Sequence, residues 1–468
     1  MSRRAAVLMS ILAAAPSGAG ELAPTVRAEA ERLRDAAASG TGALALARSL
    51  ALEVGPRLAG SAGDRRAVEW GLRTLRSLGF ANVRAEPVVV PHWDRGEAAA
   101  EILVPHPQPL VIAALGGSVP TGERAVEAPV VQANSLDGLA ELPSAAVAGR
   151  IVFLNGRMER TRDGTGYGRT VEQRTRGAIE AAKKGAVAVL IRSVGTDQNR
   201  LPHTGTVRYE EGVTRIPAAA LAAPDADLLE ERLRGAAPVR LRLRLTPRQL
   251  PDAQSANVVG EVPGGERREE IVLLGCHLDS WDLGHGALDD AAGCAIVIEA
   301  GRRLLALPRP SRRTVRIVLF ANEEFGLSGA RAYAAAHAAE LPRHMIAAEA
   351  DLGTDRVWQI SSRVAPAALP AFAEIAALLA PLGVSAGDNQ ANGGADFVPL
   401  RPARVPVAGL QHDASRYFDY HHTANDTADK LDAAGLDQSV AAYLAFAFAA
   451  ANTTADFRPA PEWPPATP

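Results

Sequence analysis

The sequence predicts an α/β protein with a mostly parallel central sheet, helices on both of its faces, and an inserted β-rich domain. From residue 255 onward, strand-like segments alternate with helix-like segments, which is typical of a parallel sheet. Between residues 120 and 248 short strands predominate, and Arg alternates with Leu from Arg240 to Leu245. A period of two indicates a strand with one solvated face.

The predicted elements follow from apolar runs and from the residues that interrupt them. Residues 24–80 have a helical pattern with a loop at Gly55 to Ser61, and Gly79 ends the last helix. Strand-like runs follow at 83–90, 110–115, 150–154, 187–191, 271–275, 314–321, 345–350 and 405–410. Helix-like runs lie at 171–184, 293–307, 328–339 and 433–451.

The chain of 468 residues is too long for a single hydrophobic core, so more than one domain is expected. The predicted divisions are a signal peptide at 1–19, a catalytic domain in two parts at 20–120 and 249–457, an inserted domain at 121–248, and a disordered tail at 458–468. Arg3 and Arg4 precede a short apolar run and small residues, the pattern of a signal peptide. We therefore expect a secreted or periplasmic protein.

Composition limits the functions open to this chain. Lys and Arg number 50 against 53 Asp and Glu, and this net charge of -3 gives no electrostatic basis for binding nucleic acid. After the N-terminus no stretch reaches about twenty apolar residues, so no membrane span is predicted. Cys276 and Cys294 are too few for a disulfide framework. We expect both cysteines to be buried and unbonded, in the manner of small hydrophobic residues, and a disulfide bond between them is the less favoured alternative.

Residues with metal-binding or acid–base side chains follow the predicted strands of the second half. They are His277, Asp279, Asp289, Glu323, Glu324, Asp351, His421 and His422. Ligands of open α/β sheets bind beyond the carboxyl ends of the strands, so we expect these side chains to meet at one edge. Mixed imidazole and carboxylate ligands favour zinc over magnesium or calcium.

The number of candidates predicts two metal ions. Two zinc ions that share one carboxylate need about five protein ligands and a water, which leaves one glutamate to spare. Such a glutamate is needed to take a proton from the water and pass it to the leaving amine.

Four motifs stand in the order found in the co-catalytic zinc exopeptidases, and four ordered motifs are far more specific than one His-x-Asp. The motifs are His277-x-Asp279-Ser280, Gly286-x-x-Asp289-Asp290, Asn322-Glu323-Glu324 and His422-Thr423. The chain resembles this family, and in particular its carboxypeptidase Q branch. The likeness to that branch rests on further runs, among them Gly55-Pro56-Arg57-Leu58, Trp281-Asp282 and Pro202-His203-Thr204-Gly205.

The resemblance implies which residues bind the two zinc ions. Asp289 is the expected bridge between the ions. His277 and Asp351 complete one site, and Glu324 and His422 complete the other. The inserted domain resembles a protease-associated domain, which in relatives helps to shape the substrate cleft.

The resemblance also implies catalytic roles. Glu323 is the expected general base and acid, acting with a metal-bridging hydroxide, and Asp279 is expected to orient His277 through its far ring nitrogen. His421 stands where many relatives have a tyrosine that steadies the oxyanion, and we expect it to donate a hydrogen bond there. Asp396 is expected to play a supporting role.

The sequence thus predicts a secreted zinc exopeptidase that acts on dipeptides or short peptides. The carboxypeptidase Q branch further implies a homodimer and release of a C-terminal residue. An aminopeptidase acting on longer peptides stays open, because the direction of attack depends on loops. A receptor-like relative without activity is disfavoured, because every ligand and the base are present.

Overall fold

Two eight-stranded sheets organise the protein, whose computed structural model describes residues 22–463. The predicted signal peptide at 1–19 lies outside these residues. The strands are β1 (Ala81–Asp94), β2 (Ala98–Val104), β3 (Gln108–Leu110), β4 (Ile112–Ala114), β5 (Val126–Ala133), β6 (Ile151–Leu154), β7 (Ala188–Arg192), β8 (Ala218–Leu221), β9 (Arg240–Leu245), β10 (Arg248–Val262), β11 (Arg267–His277), β12 (Arg313–Phe320), β13 (His344–Glu349), β14 (Val357–Arg363), β15 (Ser385–Ala386) and β16 (Val407–His412).

Helices cover these sheets and begin near the first described residues. They are α1 (Pro24–Ala38), α2 (Ala43–Ser49), α3 (Ala62–Ser77), α4 (Leu136–Glu141), α5 (Ser144–Val147), α6 (Thr165–Thr170), α7 (Glu172–Thr175), α8 (Gly177–Lys183), α9 (Ala223–Arg234), α10 (Ala292–Leu305), α11 (Ser328–Ala336), α12 (Leu369–Leu379) and α13 (Ala433–Asn452). The helix expected at 171–184 is therefore broken into α7 and α8.

The first sheet has the strand order β1-β10-β12-β11-β13-β16-β14-β15. Its centre, β12-β11-β13-β16, is parallel, whereas β10 and β14 run antiparallel to their central neighbours. The α/β class is confirmed, but the sheet is mixed where a mostly parallel one was predicted. A short connection without a helix joins β13 to β14, and a parallel return would need a longer crossover.

The second sheet has the order β3-β2-β9-β5-β6-β7-β8-β4 and is drawn from residues 98–245. Strands β2, β3 and β4 belong to it, although they precede residue 121, the predicted start of the inserted domain. In β9 each arginine is exposed and each leucine is buried, which confirms the solvated face predicted from the alternation. The leucines pack into a core separate from that of the first sheet.

Helix α13 is an interior element of the first core. Its length and mean hydropathy would allow a membrane span, yet 83% of its most apolar window is buried inside the protein. It packs against α1, α10 and α12. Its apolar surface is thus covered by the protein's own helices.

The chain beyond α13 is ordered further than its composition predicts. Ala460 is fully buried, and its backbone N–H donates to the carbonyl oxygen of Arg404 over 2.9 Å. Trp463 lies between the guanidinium groups of Arg363 and Arg401, 4.3 and 4.4 Å from its ring centroid. The prediction of a disordered tail is therefore wrong for residues 458–463, because packing and cation–π contacts compensate for the proline-rich composition.

Cys276 and Cys294 form a disulfide bond, with their Cα atoms 5.1 Å apart. The favoured prediction of two unbonded cysteines is wrong. Cys276 lies near the end of β11 and Cys294 in the first turn of α10, and these two elements pack directly on each other. Their approach is a tertiary contact that residue spacing does not reveal.

Candidate metal centre

The candidate centre lies at the carboxyl ends of neighbouring parallel strands in the first sheet. His277 ends β11, Glu323 and Glu324 follow β12, and Asp351 follows β13. Since β12, β11 and β13 are adjacent and parallel, the residues after them emerge at one edge. The loop after β16 brings His421 and His422 to the same place.

Asp289 lies at the middle of this group, in the segment Ala287–Ala291 that leads into α10. Its Oδ1 lies 3.0 Å from Nε2 of His277. Its Oδ2 lies 3.3 Å from Nε2 of His422. The two oxygens of one carboxylate therefore face two different histidines.

A second carboxylate accompanies each histidine. Asp351 Oδ1 lies 3.5 Å from Nε2 of His277, and Glu324 Oε2 lies 2.9 Å from Nε2 of His422. Ligand atoms of His277, Asp289 and Glu324 all lie within 4.8 Å of one another. The five predicted ligands thus form one cluster with two halves that meet at Asp289.

Several acceptor atoms of this cluster face each other with no hydrogen-bond donor between them. The Nδ1 of His422 lies 3.2 Å from the carbonyl oxygen of Thr204, an acceptor, so Nδ1 carries the proton and the Nε2 lone pair points at the carboxylates. Asp289 Oδ2 and Glu324 Oε1 are buried and have no hydrogen-bond partner among residues 22–463. A cation between these atoms would satisfy all of them, so the donor set fits a metal ion.

The pKa shifts within the cluster also favour a bound metal ion. Burial, together with the charges of Asp289 and Glu323, raises the pKa of Glu324 well above its ordinary value. Burial lowers the pKa of His422 to about 4, although Asp289 opposes the shift. The lowered pKa keeps His422 neutral, the form that binds a metal ion, and the raised pKa of Glu324 marks a buried carboxyl group whose anion a divalent cation would stabilise.

Asp279 holds the two glutamates. Its Oδ1 accepts the backbone N–H of Glu323 over 2.9 Å, and its Oδ2 lies 3.4 Å from the backbone nitrogen of Glu324. The far nitrogen of His277 lies 3.1 Å from the carbonyl oxygen of Asp279 and 3.6 Å from its carboxylate. The carbonyl is therefore the nearer partner of His277, where the sequence analysis expected the side chain.

His421 lies beside the cluster. Its ring stacks on that of His422 with centroids 3.5 Å apart, and its Nε2 lies 3.7 Å from Asp289 Oδ2. Burial lowers its pKa well below the ordinary value, so the imidazole is neutral. Only His422 also approaches Glu324, and this favours His422 as the ligand.

Two residues outside the predicted ligand set, Asp426 and Arg57, hold the loops of the site. The Asp426 carboxylate accepts the backbone N–H groups of Leu288 and Asp289 over 2.6 and 3.2 Å. Arg57 is fully buried and donates to the carbonyl oxygens of Leu278, His285 and Gly286. The only sequence signal for Arg57 was its Gly-Pro-Arg-Leu run.

Asp290 and Asp396 have different environments. Asp290 accepts the backbone N–H groups of His277 and Gly293, so its oxygens connect the end of β11 to the start of α10. Asp396, fully buried, donates its backbone N–H to the Glu349 carboxylate, while both of its own carboxylate oxygens have no partner in the described part of the chain.

Comparison with known proteins places this centre in a family. The sequence profile of Peptidase family M28 matches residues 257–447, the span that contains all five predicted ligands. The chain is also 36% identical to carboxypeptidase Q of Mus musculus over 399 residues, covering 85% of this chain and 83% of that protein. The chain belongs to peptidase family M28. It is a metallopeptidase, so the predicted family and enzyme class are confirmed.

Solved structures support the fold of this M28 chain. A peptidase M28 precursor from Shewanella amazonensis SB2B superposes with a TM-score of 0.92 at 48% identity, covering 94% of this chain and 99% of that one. A zinc aminopeptidase from Bacillus subtilis superposes with a TM-score of 0.64 at 21% identity, covering 89% and 97%. The second likeness is one of fold alone.

Two residues of the predicted insert form hydrogen bonds with the loop that carries His421 and His422. Thr204 donates its backbone N–H to the carbonyl oxygen of His422 over 3.0 Å. His203 places Nδ1 2.7 Å from the carbonyl oxygen of His421 and Nε2 2.7 Å from Asp197 Oδ1. The loop that presents His422 is therefore positioned from the predicted insert.

A cavity of about 410 Å³ opens onto the centre. Its lining includes Asp289, Glu323, Glu324 and Asp351 of the metal centre, Arg174 and Arg208 of the predicted insert, and Arg331 of α11. Its volume falls in the range of about 300–1,000 Å³ that is typical of small-molecule sites.

Proposed function

We propose that this M28 metallopeptidase is a zinc exopeptidase that hydrolyses dipeptides and short peptides with two zinc ions per chain. The observation that carries the proposal is the position of Asp289, whose two carboxylate oxygens face two separate histidine–carboxylate pairs. One ion would be held by His277, Asp289 and Asp351. The other would be held by Asp289, Glu324 and His422.

Zinc held by these residues would supply Lewis acidity at the peptide carbonyl oxygen and would lower the pKa of a bound water. The donor set suits zinc, because imidazole nitrogen accompanies carboxylate oxygen in both halves. The zinc aminopeptidase of Bacillus subtilis, which shares the fold, is consistent with this choice.

Glu323 is the proposed proton carrier. Its backbone is fixed by Asp279, and its side chain lines the cavity beside the ligand cluster. Burial raises its pKa to about 8, although His277 opposes the rise. A carboxylate that borders the cavity beside the ligands can accept a proton and return it, so Glu323 takes a proton from the attacking water and delivers it to the leaving amine nitrogen.

His421 is the proposed donor to the oxyanion of the tetrahedral intermediate. It lines the cavity next to His422, and its Nδ1 is buried without a hydrogen-bond partner in the described residues. A neutral imidazole has one N–H group, which is sufficient for this contact. Replacement of His421 by alanine with unchanged turnover would exclude the role.

Carboxypeptidase or dipeptidase action is favoured over aminopeptidase action by the likeness to carboxypeptidase Q over 85% of the chain. We also propose export through the signal peptide at 1–19, a homodimer, and a protease-associated-like insert that borders the cleft. Light scattering of the purified protein tests the dimer, and N-terminal sequencing of the mature protein tests the export.

The decisive experiment measures metal content and the release of free amino acids from a dipeptide set by the purified protein. We expect two zinc ions per chain, loss of activity with a chelator, and recovery when zinc is added back. N-blocked dipeptides and longer peptides then separate dipeptidase from aminopeptidase action. Two bound zinc ions without hydrolysis of any peptide would leave the centre intact and overturn the substrate class.

A further inference from the structure

Arg174 is a buried cation without an anionic partner. It is 7% exposed, and among residues 22–463 no carboxylate forms an ion pair with it. Its one short hydrogen bond runs from Nη2 to the Tyr167 hydroxyl over 2.7 Å. The contacts of Nη1 with the Thr204 carbonyl oxygen and with His422 are 3.4 Å long, and Nε has no partner.

Other buried arginines of the chain show what Arg174 lacks. Arg313 pairs with Glu270 and donates to several carbonyl oxygens, and Arg316 pairs with two glutamates. A buried guanidinium that keeps its charge without such partners is costly to the fold. Arg174 is such a guanidinium at the wall of a cavity, and an anionic ligand in that cavity would supply the missing partner.

The guanidinium is fixed in place before any ligand arrives. Its Cζ lies 5.5 Å from the centroid of the Tyr167 ring. A Cβ atom at Gly205 would lie only 2.4 Å from the same Cζ, so the guanidinium lies flat against the glycine backbone. Gly205 also has φ +130°, which side chains rarely adopt. A preordered cation of this kind binds an anion with little further loss of entropy.

A second arginine gives the cavity a charged end. Arg208 is exposed, lines the same cavity, and has a guanidinium that takes part in no hydrogen bond or ion pair in the described structure. The ligand acids line the same cavity, as does Arg331 of α11, which donates to the carbonyl oxygen of Gly326. The cavity thus combines acids of the metal centre with two arginines of the predicted insert, which fits a short peptide with an anionic end.

The distance from Arg174 to the metal centre limits how many substrate residues fit between the two. Arg174 Nη1 lies 3.4 Å from the ring of His422, a proposed ligand. That contact is with Nδ1, and the other ring nitrogen, Nε2, faces the carboxylates, so the width of the imidazole separates the guanidinium from the ligand atoms. Successive Cα atoms are about 3.8 Å apart, so this spacing suits a single residue.

We propose that Arg174, assisted by Arg208, binds the α-carboxylate of the substrate's C-terminal residue and thereby selects dipeptides and peptides from which one C-terminal residue is released. This inference rests on the proposed function and adds to it the group that decides the direction of attack. Planar guanidinium suits this role, because it can donate two parallel hydrogen bonds to a carboxylate.

The test compares a dipeptide with its C-terminal amide as substrates of the wild type and of Arg174→Gln. We expect the wild type to prefer the acid by about 10- to 100-fold in kcat/KM, the effect of one charge-assisted hydrogen-bonded pair. The variant should lose this preference mainly through a higher KM for the acid, and its kcat/KM for the amide should fall less than its kcat/KM for the acid.

Arg215→Gln is the matched control. Arg215 also lies over a tyrosine, 5.6 Å from the Tyr209 centroid, but does not line the cavity, so it should leave the acid-to-amide ratio unchanged. Zinc content, measured in each variant, shows whether a loss reflects the metal centre. If Arg174→Gln does not fold, Arg208→Gln replaces it, and a lower acid-to-amide ratio is expected there as well.

The outcomes separate the inference from the function beneath it. Equal losses on acid and amide would overturn the carboxylate site and leave a structural or oxyanion role for Arg174. An unchanged ratio in both arginine variants would overturn it too. A wild type that hydrolyses neither substrate, nor any other short peptide, would contradict the proposed function itself.

Discussion

Two charged clusters of this protein differ in whether their charges find partners. In the first, Arg316 donates to Glu261 and Glu340, and His337 lies between Glu340 and Glu86 with ring-nitrogen distances of 2.9 and 3.0 Å. Every charge in this network contacts an opposite one. In the second, at the metal centre, carboxylate oxygens and a guanidinium nitrogen are buried without partners in residues 22–463.

The difference separates stability from function. Charges that are paired within the fold return part of their desolvation cost and hold elements together. Charges left unpaired at a cavity destabilise the empty protein, and they persist where a ligand completes them. Substitutions in the centre should therefore affect chemistry more than stability, and those in the paired network should do the reverse.

The largest expected effect is that of Glu323→Gln. Loss of the proton carrier should lower kcat by about 10²- to 10⁴-fold, the usual contribution of general acid–base catalysis. The melting temperature should change little, because glutamine matches glutamate in size and shape. Steady-state kinetics, zinc analysis and thermal unfolding measure these three quantities.

Glu340→Gln is the matched control from the paired network, and it should lower the melting temperature while kcat stays within about twofold. A Glu323→Gln enzyme that keeps more than about a tenth of its turnover would contradict the assignment of the base.

An intermediate effect is expected for Asp426→Asn. The substituted amide keeps one acceptor oxygen where the carboxylate received two backbone N–H groups, so Leu288 and Asp289 lose their fixed positions. Metal affinity should fall by about 10- to 100-fold, as for other residues that orient ligands. Competition with a chromogenic chelator measures it. Asp429→Asn, on the exposed part of the same loop, should leave the affinity unchanged.

The smallest effect concerns the paired network and pH. Glu340 and Glu86 raise the pKa of His337 to about 9 from 6.5 in the unfolded chain, despite partial burial. The raised pKa means that this contribution to stability is complete below pH 6.5 and is lost as pH rises through 9. Because solvent screens these partly exposed pairs, we expect a loss of about 1 kcal/mol.

Urea unfolding of the wild type and of His337→Gln across this pH range measures the loss. The variant lacks the titrating group, so its stability should fall less. Equal slopes for the two proteins would show that the network contributes nothing through His337.

Much of the fold and of the candidate centre could be predicted from the sequence. His277 ends an apolar strand, Glu323, Glu324 and Asp351 follow shortly after two others, and parallel strands end at a common edge. The mixed order of the first sheet could not be predicted, because strand direction depends on which neighbours a connection reaches. Ligand roles at these positions stay predictions until metal is measured.

The sequence by itself determined the main strands and helices of the catalytic part, the family, and the acids and histidines at the strand ends, since these depend on local periodicity and ordered motifs. Only the tertiary structure decided the Cys276–Cys294 bond, the burial of Ala460, and the isolation of Arg174 beside the centre. These three features depend on which segments, distant along the chain, come into contact. Whether a charged side chain has an oppositely charged partner depends on these contacts, so it cannot be predicted from the residue type alone.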